Sequence, residues 1–190
     1  MARSLRWTTA DLEALPDRLD GTRYEIIDGE LYVSKQPNLD HQRVCGNVYG
    51  SLRRWSDQTG AGEAILAPGL IFADDDNVAP DVVWISQARL ATAQREDRRH
   101  LHAAPELIIE VLSPGPTNEQ RDREAKLKLY SRRGVHEYWL VDWPQRQIEV
   151  HRRQDAELHL IGTLYASDVL RSPLLPDFAL PVAELFAGLP

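Results

Sequence analysis

Residues 106–112 read ELIIEVL, and this stretch decides the fold. A nearly continuous apolar run of this length has the look of a central strand buried on both faces of a sheet. Glu110 is its anomaly. Burying an unpaired carboxylate costs many kcal/mol, so such a group is neutralised, paired or metal-bound, unless the strand turns that position to solvent.

Working outward, Thr117 and Gln120 fit a capping box that opens a helix running to about Arg133 and stopping at Gly134. HEYWLVD (136–142) then reads as an apolar strand packing a core edge or a subunit interface, and 147–152 and 157–162 continue a meander. A Pro-rich turn leads to a short helix near 182–187. Upstream, Thr9 caps a short helix ended by Pro16. RYEII (23–27) and ELYVS (30–34) flank Asp28-Gly29, a hairpin signal because both central residues of a type I′ turn need positive φ. Val44, Val48, Leu52 and Trp55 form one stripe of a helix over 40–59, with Gly60 as C-cap. Short β-prone runs follow at 63–66, 69–73 and 81–85 (DVVWI), and 86–104 is a polar surface excursion with a helical turn. The pattern is α/β in the α+β sense: one domain over residues 1–190, with a mixed central sheet flanked by helices and extended by hairpin or meander strands.

The 190 residues carry 22 Lys+Arg and 29 Asp+Glu, a formal charge of −7. That balance argues against a general nucleic-acid coat or a membrane-surface binder. The single cysteine, Cys45, excludes an intramolecular disulfide and a zinc site built from thiolates, and points to a reducing, cytoplasmic setting. The basic start lacks an apolar h-region, and no run approaches the roughly 18 residues of a membrane span.

Four side chains carry the chemistry. Glu110 sits in the apolar strand. Asp81 follows Pro80 at the start of DVVWI, where a turn-forming aspartate is ordinary. Lys126 shares a helix face with Asp122 and Tyr130, and a solvated Asp–Lys pair there is worth only about 0.2–0.5 kcal/mol. Glu25 alternates with Tyr24 and Ile26, the position of an outward-facing glutamate. Together they form a pattern: two strand carboxylates followed by a helix lysine can converge on a hydrated cation. Two carboxylates about 4 Å apart repel by roughly 4 kcal/mol at an effective dielectric near 20, and a divalent cation reverses that sign.

The chain resembles the Uma-type restriction-endonuclease family, a bacterial branch of the PD-(D/E)XK nuclease superfamily. RYEIIDGELYVS with the following HQRV, APDVVWIS, PELIIEVLSP, RDREAKLKLYSRRGVHEYWLVD and LPDFALPVAELF carry the similarity. It implies a restriction-endonuclease-like core, with Asp81 as the motif aspartate and Glu110 as the motif acid. The superfamily lysine stands two residues after that acid, where this chain has Leu112. The resemblance moves its role to Lys126 on the following helix. It further implies Mg²⁺ or Mn²⁺ held by Asp81, Glu110 and the Val111 carbonyl, with Glu25 completing the acidic cluster. His41 is implied as a phosphate contact or proton carrier, or as a helix-start cap, and Asp122 and Tyr130 position Lys126. The implied activity is DNA phosphodiester hydrolysis by a homodimer without membrane attachment, for which Lys126→Ala and Asp81→Asn serve as folded, inactive probes.

Six basic residues (Arg121, Arg123, Lys126, Lys128, Arg132, Arg133) against three acids make the 119–133 helix locally positive. Arg152 with Arg153, and Arg95, Arg98 and Arg99, add two clusters. Two other classes remain: a catalytically silent interaction or regulatory module on the same fold, and a two-carboxylate glycosidase whose cleft would use the tryptophans.

Overall fold

The computed structural model describes residues 5–16, 20–94 and 99–190. The elements run α1 (Thr9–Glu13), β1 (Arg23–Ile27), β2 (Glu30–Ser34), α2 (Leu39–Thr59), β3 (Gly62–Leu66), β4 (Leu70–Ala73), β5 (Asp76–Val78), β6 (Val82–Ser86) and α3 (Gln87–Ala93). Then come β7 (Leu107–Val111), α4 (Pro116–Gln120), a π-helical segment (Arg121–Lys126), α5 (Leu127–Arg133), β8 (Glu137–Asp142), β9 (Gln147–Gln154), β10 (Glu157–Tyr165), β11 (Val169–Ser172), β12 (Leu175–Pro181) and α6 (Val182–Leu185).

A six-stranded sheet in the order β10-β9-β8-β7-β6-β3 is the frame. Only β7 and β8 pair in parallel within it. Parallel neighbours need a crossover, and the helical stretch 116–133 supplies it. All five residues of β7 are buried. Leu107, Ile109 and Val111 pack with α2 and the C-terminal hairpin in one core cluster. Ile108 and Leu112 join Leu129 and Tyr130 of α5 in the other. Period-2 alternation therefore turns Glu110 toward the crossover helix. Leu112, which stands where the superfamily lysine would be, is 4 % exposed and belongs to that second core.

The second sheet, β2-β1-β5-β4, begins with the anticipated hairpin, whose Asp28 and Gly29 have φ of 53° and 73°. A carboxylate fastens it to the helix. Asp76 of β5 is 1 % exposed, accepts from Arg132 Nη2 at 2.9 Å, and also pairs with Arg133. Arg132 Nη1 reaches Asp28 Oδ1 at 2.5 Å. This clamp sets the strand carrying Glu25 against the helix carrying Lys126.

Several expectations change. HEYWLVD is not an edge: β8 lies between β7 and β9 with all six residues buried, so it offers no subunit interface. The Pro-rich turn is the β11–β12 hairpin, a two-stranded ribbon that tolerates prolines because it is part of no larger sheet. The crossover helix starts at Pro116 after Gly115, with no side-chain cap, so Thr117 and Gln120 form no capping box. Thr8, not Thr9, caps α1; its N–H and hydroxyl both donate to Asp11 at 2.8 Å.

The π segment has a visible cause. The Tyr138 hydroxyl on β8 donates to the Asp122 main-chain carbonyl at 3.1 Å, in the buried interior. A side-chain donor inserted into the i→i+4 ladder leaves that carbonyl satisfied from outside the helix, and the ladder widens to i→i+5.

Candidate active site

Glu25 of β1, Asp81 just before β6, Glu110 of β7 and Lys126 of the π-helical segment line one polar cavity of about 30 Å³. That is room for a water or two, or for a partly hydrated ion. Lys126 is the hub. Its Nζ lies 2.9 Å from Glu110 Oε1, 3.0 Å from Glu25 Oε1 and 3.8 Å from Asp122 Oδ1. Burial alone would lower the Lys126 pKa, but the charges of Glu110, Glu25 and Asp122 raise it above its ordinary value. The group is therefore an ammonium, able to stabilise charge and unable to act as a base at neutral pH.

Glu110 gives the same Oε1 to Lys126 and to the Tyr130 hydroxyl, at 2.9 and 2.7 Å. Among the described residues no hydrogen bond takes its Oε2. Burial first, then the neighbouring charges of Asp81, Asp122 and Glu25, push its pKa up to about 8 against the pull of Lys126.

Asp81 stands immediately before β6. Its Oδ2 accepts from the Val111 N–H at 2.9 Å and lies 3.2 Å from His41 Nε2. Burial would raise its pKa, but the His41 contact and the Val111 N–H outweigh burial and hold it below the usual carboxylate range. Glu25 is buried rather than outward-facing, because the Ala79 N–H and Lys126 both bind its Oε1.

His41 does not cap its helix. Asn38 does, accepting the His41 N–H at 2.8 Å, while the His41 ring is buried in the site. Its Nε2 lies 2.8 Å from the Val111 carbonyl and its Nδ1 3.5 Å from Cys45 Sγ. Burial, with Asp81 and Glu110 nearby, pushes the Cys45 thiol well up. A thiol that keeps its proton donates to Nδ1, which assigns the ring hydrogen to Nε2. His41, Cys45 and Asp81 could together hold a metal ion, a set that includes a soft sulfur donor. The oxygen donors Asp81, Glu110 and the Val111 carbonyl instead fit a hard cation.

Asp122 is held by Arg121 at 2.8 Å, and Arg121 Nη1 also reaches Glu25 Oε2 at 3.7 Å. Sequence reasoning missed Arg121 as a site residue, along with Arg23, whose Nη1 lies 3.5 Å from Asp81 Oδ1, and Lys35 at the cavity wall. Arg23 was findable: it precedes Glu25 by two in a strand and so shares its face.

The positive helix is largely spent on internal pairs. Arg123 binds Glu149 at 2.5 Å and Asp142 at 3.4 Å, Arg132 and Arg133 bind Asp76, and Arg152 binds Glu137 at 2.6 Å. Arg153 donates to the Val135 carbonyl at 2.8 Å. Of the six helix cations, only Lys128 has no acidic partner among the described residues. Arg95 and Arg98 lie outside the described residues. Trp55, Trp84 and Trp139 are core residues and no aromatic ring but the His41 imidazole lines the cavity, which removes the basis for a sugar cleft. Among the described residues no helix is long and apolar enough to cross a membrane.

A family model described as "Uma2: Putative restriction endonuclease" matches residues 9–183. The chain belongs to the Uma2 family. The match takes in both sheets and the crossover helix, so the whole cavity lies inside Uma2 sequence. Among solved structures, the chain is similar to a crystal structure from Anabaena variabilis ATCC 29413 described as "a putative nuclease belonging to DUF820". The two share 19% identity over 94% of this chain and 97% of the other, with a TM-score of 0.76, which is a shared fold. No curated protein matches. Uma2 membership and this fold together support a nuclease.

Proposed function

We propose that the chain is a divalent-metal-dependent endonuclease that hydrolyses DNA phosphodiester bonds by a PD-(D/E)XK-type mechanism, as one nuclease domain acting in the cytoplasm. One observation carries the proposal: Glu25, Asp81, Glu110 and Lys126, from distant parts of the chain, line a single polar cavity.

Asp81, Glu110 and the Val111 carbonyl would hold Mg²⁺ or Mn²⁺. Such a cation supplies charge neutralisation at a phosphate and acidifies bound water. The chain's own residues do the rest. Lys126, fixed by Glu25 and Asp122, holds an ammonium where negative charge grows on the phosphate. Tyr130 fixes the orientation of Glu110. His41 donates toward the Val111 carbonyl and Asp81, keeping strand end and carboxylate in register. Arg23 and Lys35 at the wall are placed to receive phosphate oxygens. A homodimer belongs to the same reading.

The test uses isosteric changes. Asp81→Asn and Glu110→Gln proteins should keep wild-type circular dichroism and lose Mg²⁺- or Mn²⁺-dependent cleavage of plasmid DNA by at least about 100-fold. Wild-type cleavage by both would falsify the assignment.

A further inference from the structure

Beside the cavity lies a larger groove of about 490 Å³, and Arg121 lines both. The cavity has room for an ion and a phosphate oxygen, whereas the groove falls in the size range of a small-molecule site, about 300–1,000 Å³. They are joined by register as well. Tyr32 of β2 is the direct cross-strand partner of Glu25, so the two side chains leave the same face of the hairpin about 5 Å apart at Cβ. Glu25 points into the cavity and Tyr32 lines the groove.

The groove is built for a flat heterocycle. Ile27, Tyr32 and Ala125 give it an apolar side that adjoins the second core cluster, while Asp28, Glu30 and Glu124 add carboxylates that suit the polar edge of a base rather than a phosphate. Gln120 and Glu124 also line it, the Gln120 amide donating to Glu124 Oε2 at 3.2 Å. The exposed Lys128 stands at the rim with no acidic partner among the described residues, as a backbone phosphate requires. A nucleobase has this combination of apolar faces and polar edges. Arg123, Arg132 and Arg133 of the crossover helix are paired internally and are not free to track a continuous duplex.

We propose that the groove is a nucleobase subsite, taking one unpaired base next to the phosphate in the cavity, so that the substrate class is single-stranded or locally unpaired nucleic acid. Tyr32 stacks on the base. Glu124 accepts from its edge, which favours bases bearing exocyclic amino groups over thymine. A base inside an intact duplex must first leave its stack, at a cost of a few kcal/mol. The proposal rests on the nuclease reading for the phosphate beside it.

The experiment measures fluorescence anisotropy of labelled DNA hexamers with the full chain, Ca²⁺ replacing Mg²⁺ so that nothing is cut. A single-stranded oligo-dC hexamer should bind about tenfold tighter than a matched duplex and several-fold tighter than oligo-dT. Tyr32→Ala should weaken hexamer binding about tenfold, Tyr32→Phe should recover it to within about twofold, and Glu124→Gln should erase the dC-over-dT preference. A 2-aminopurine in the hexamer should report stacking on wild-type protein without any variant. Equal affinity for hexamer and duplex, unchanged binding by Tyr32→Ala, or unchanged 2-aminopurine emission overturns the proposal. The two readings fail separately. Asp81-dependent cleavage that treats duplex and single strand alike removes the subsite and keeps the nuclease. Tyr32-dependent binding without metal-dependent cleavage removes the nuclease and keeps the subsite.

Discussion

Lys126 Nζ and Glu110 Oε1 meet at 2.9 Å, although one side chain comes from the crossover helix and the other from the strand before it. Neither is more than 3 % exposed. A pair this deep gains its stability only while both partners are present, because removing one strands the other's charge away from water.

Lys126→Ala should therefore destabilise the protein by about 3–5 kcal/mol in urea unfolding, by leaving Glu25, Glu110 and Asp122 without their shared cation. Sequence alone makes this variant a clean probe of activity; its burial makes it a stability variant first. An unchanged unfolding midpoint would show that Lys126 is not the cation those acids depend on.

Tyr138→Phe removes the donor that satisfies the Asp122 carbonyl and should cost about 1–3 kcal/mol. Because that carbonyl belongs to the winding that sets Lys126, the variant should also lower metal-dependent cleavage. Tyr130→Phe, which leaves Glu110 still bound by Lys126, should cost less, about 1 kcal/mol. Chemical denaturation of the two variants side by side checks the order.

Calorimetry with Mn²⁺ should show cation binding to wild type and none to Glu110→Gln. Chelation of the cation should abolish cleavage without unfolding the protein. Equal binding by wild type and Glu110→Gln would remove Glu110 from the ligand set.

Glu149 contributes to the acid limit of stability. The His151 contact first, and then the Arg123 hydrogen bond and charge, lower its pKa from 4.5 against the opposing effect of burial. A lowered carboxylate contributes stability that is present above its unfolded value and lost as pH falls through the folded one. Thermal stability should fall below about pH 4.5, and Glu149→Gln should flatten that fall while lowering stability at neutral pH. An identical acid profile in the variant would contradict this.

Salt dependence of DNA binding should be shallow. Arg23, Lys35 and Lys128 are the cleft-side cations with no carboxylate within normal hydrogen-bonding distance among the described residues. Three phosphate contacts give a log–log slope of about −2 on single strands and about −2.7 on duplex. A slope near −8 would require the helix arginines to leave their internal partners.

Much of this was legible in the chain. ELIIEVL revealed a central strand because five aliphatic residues leave no polar face, and the Asp28-Gly29 turn revealed the hairpin because few other pairs take positive φ twice. Four site positions stood out by order and residue type. What stayed hidden depends on partners distant in sequence. Nothing near Arg123 announces Glu149, and nothing near Asp122 announces Tyr138. The helix therefore read as a free basic face with regular winding. HEYWLVD read as an edge because an apolar strand looks the same whether a neighbour or a second subunit covers it. Arg121 stayed unmarked because its alignment with the site exists only in the widened turn.

That widened turn makes the spacing of the helix part of its chemistry. If one residue were removed between Glu119 and Leu127, the backbone could rewind as a plain α-helix. The rewound turn would absorb the deletion, so Tyr130, Arg132 and Arg133 would stay near their present faces, while the offset that brings Arg121 and Lys126 to one cavity would be lost. The widened turn holds one residue more than a plain helix needs, and the site uses that surplus.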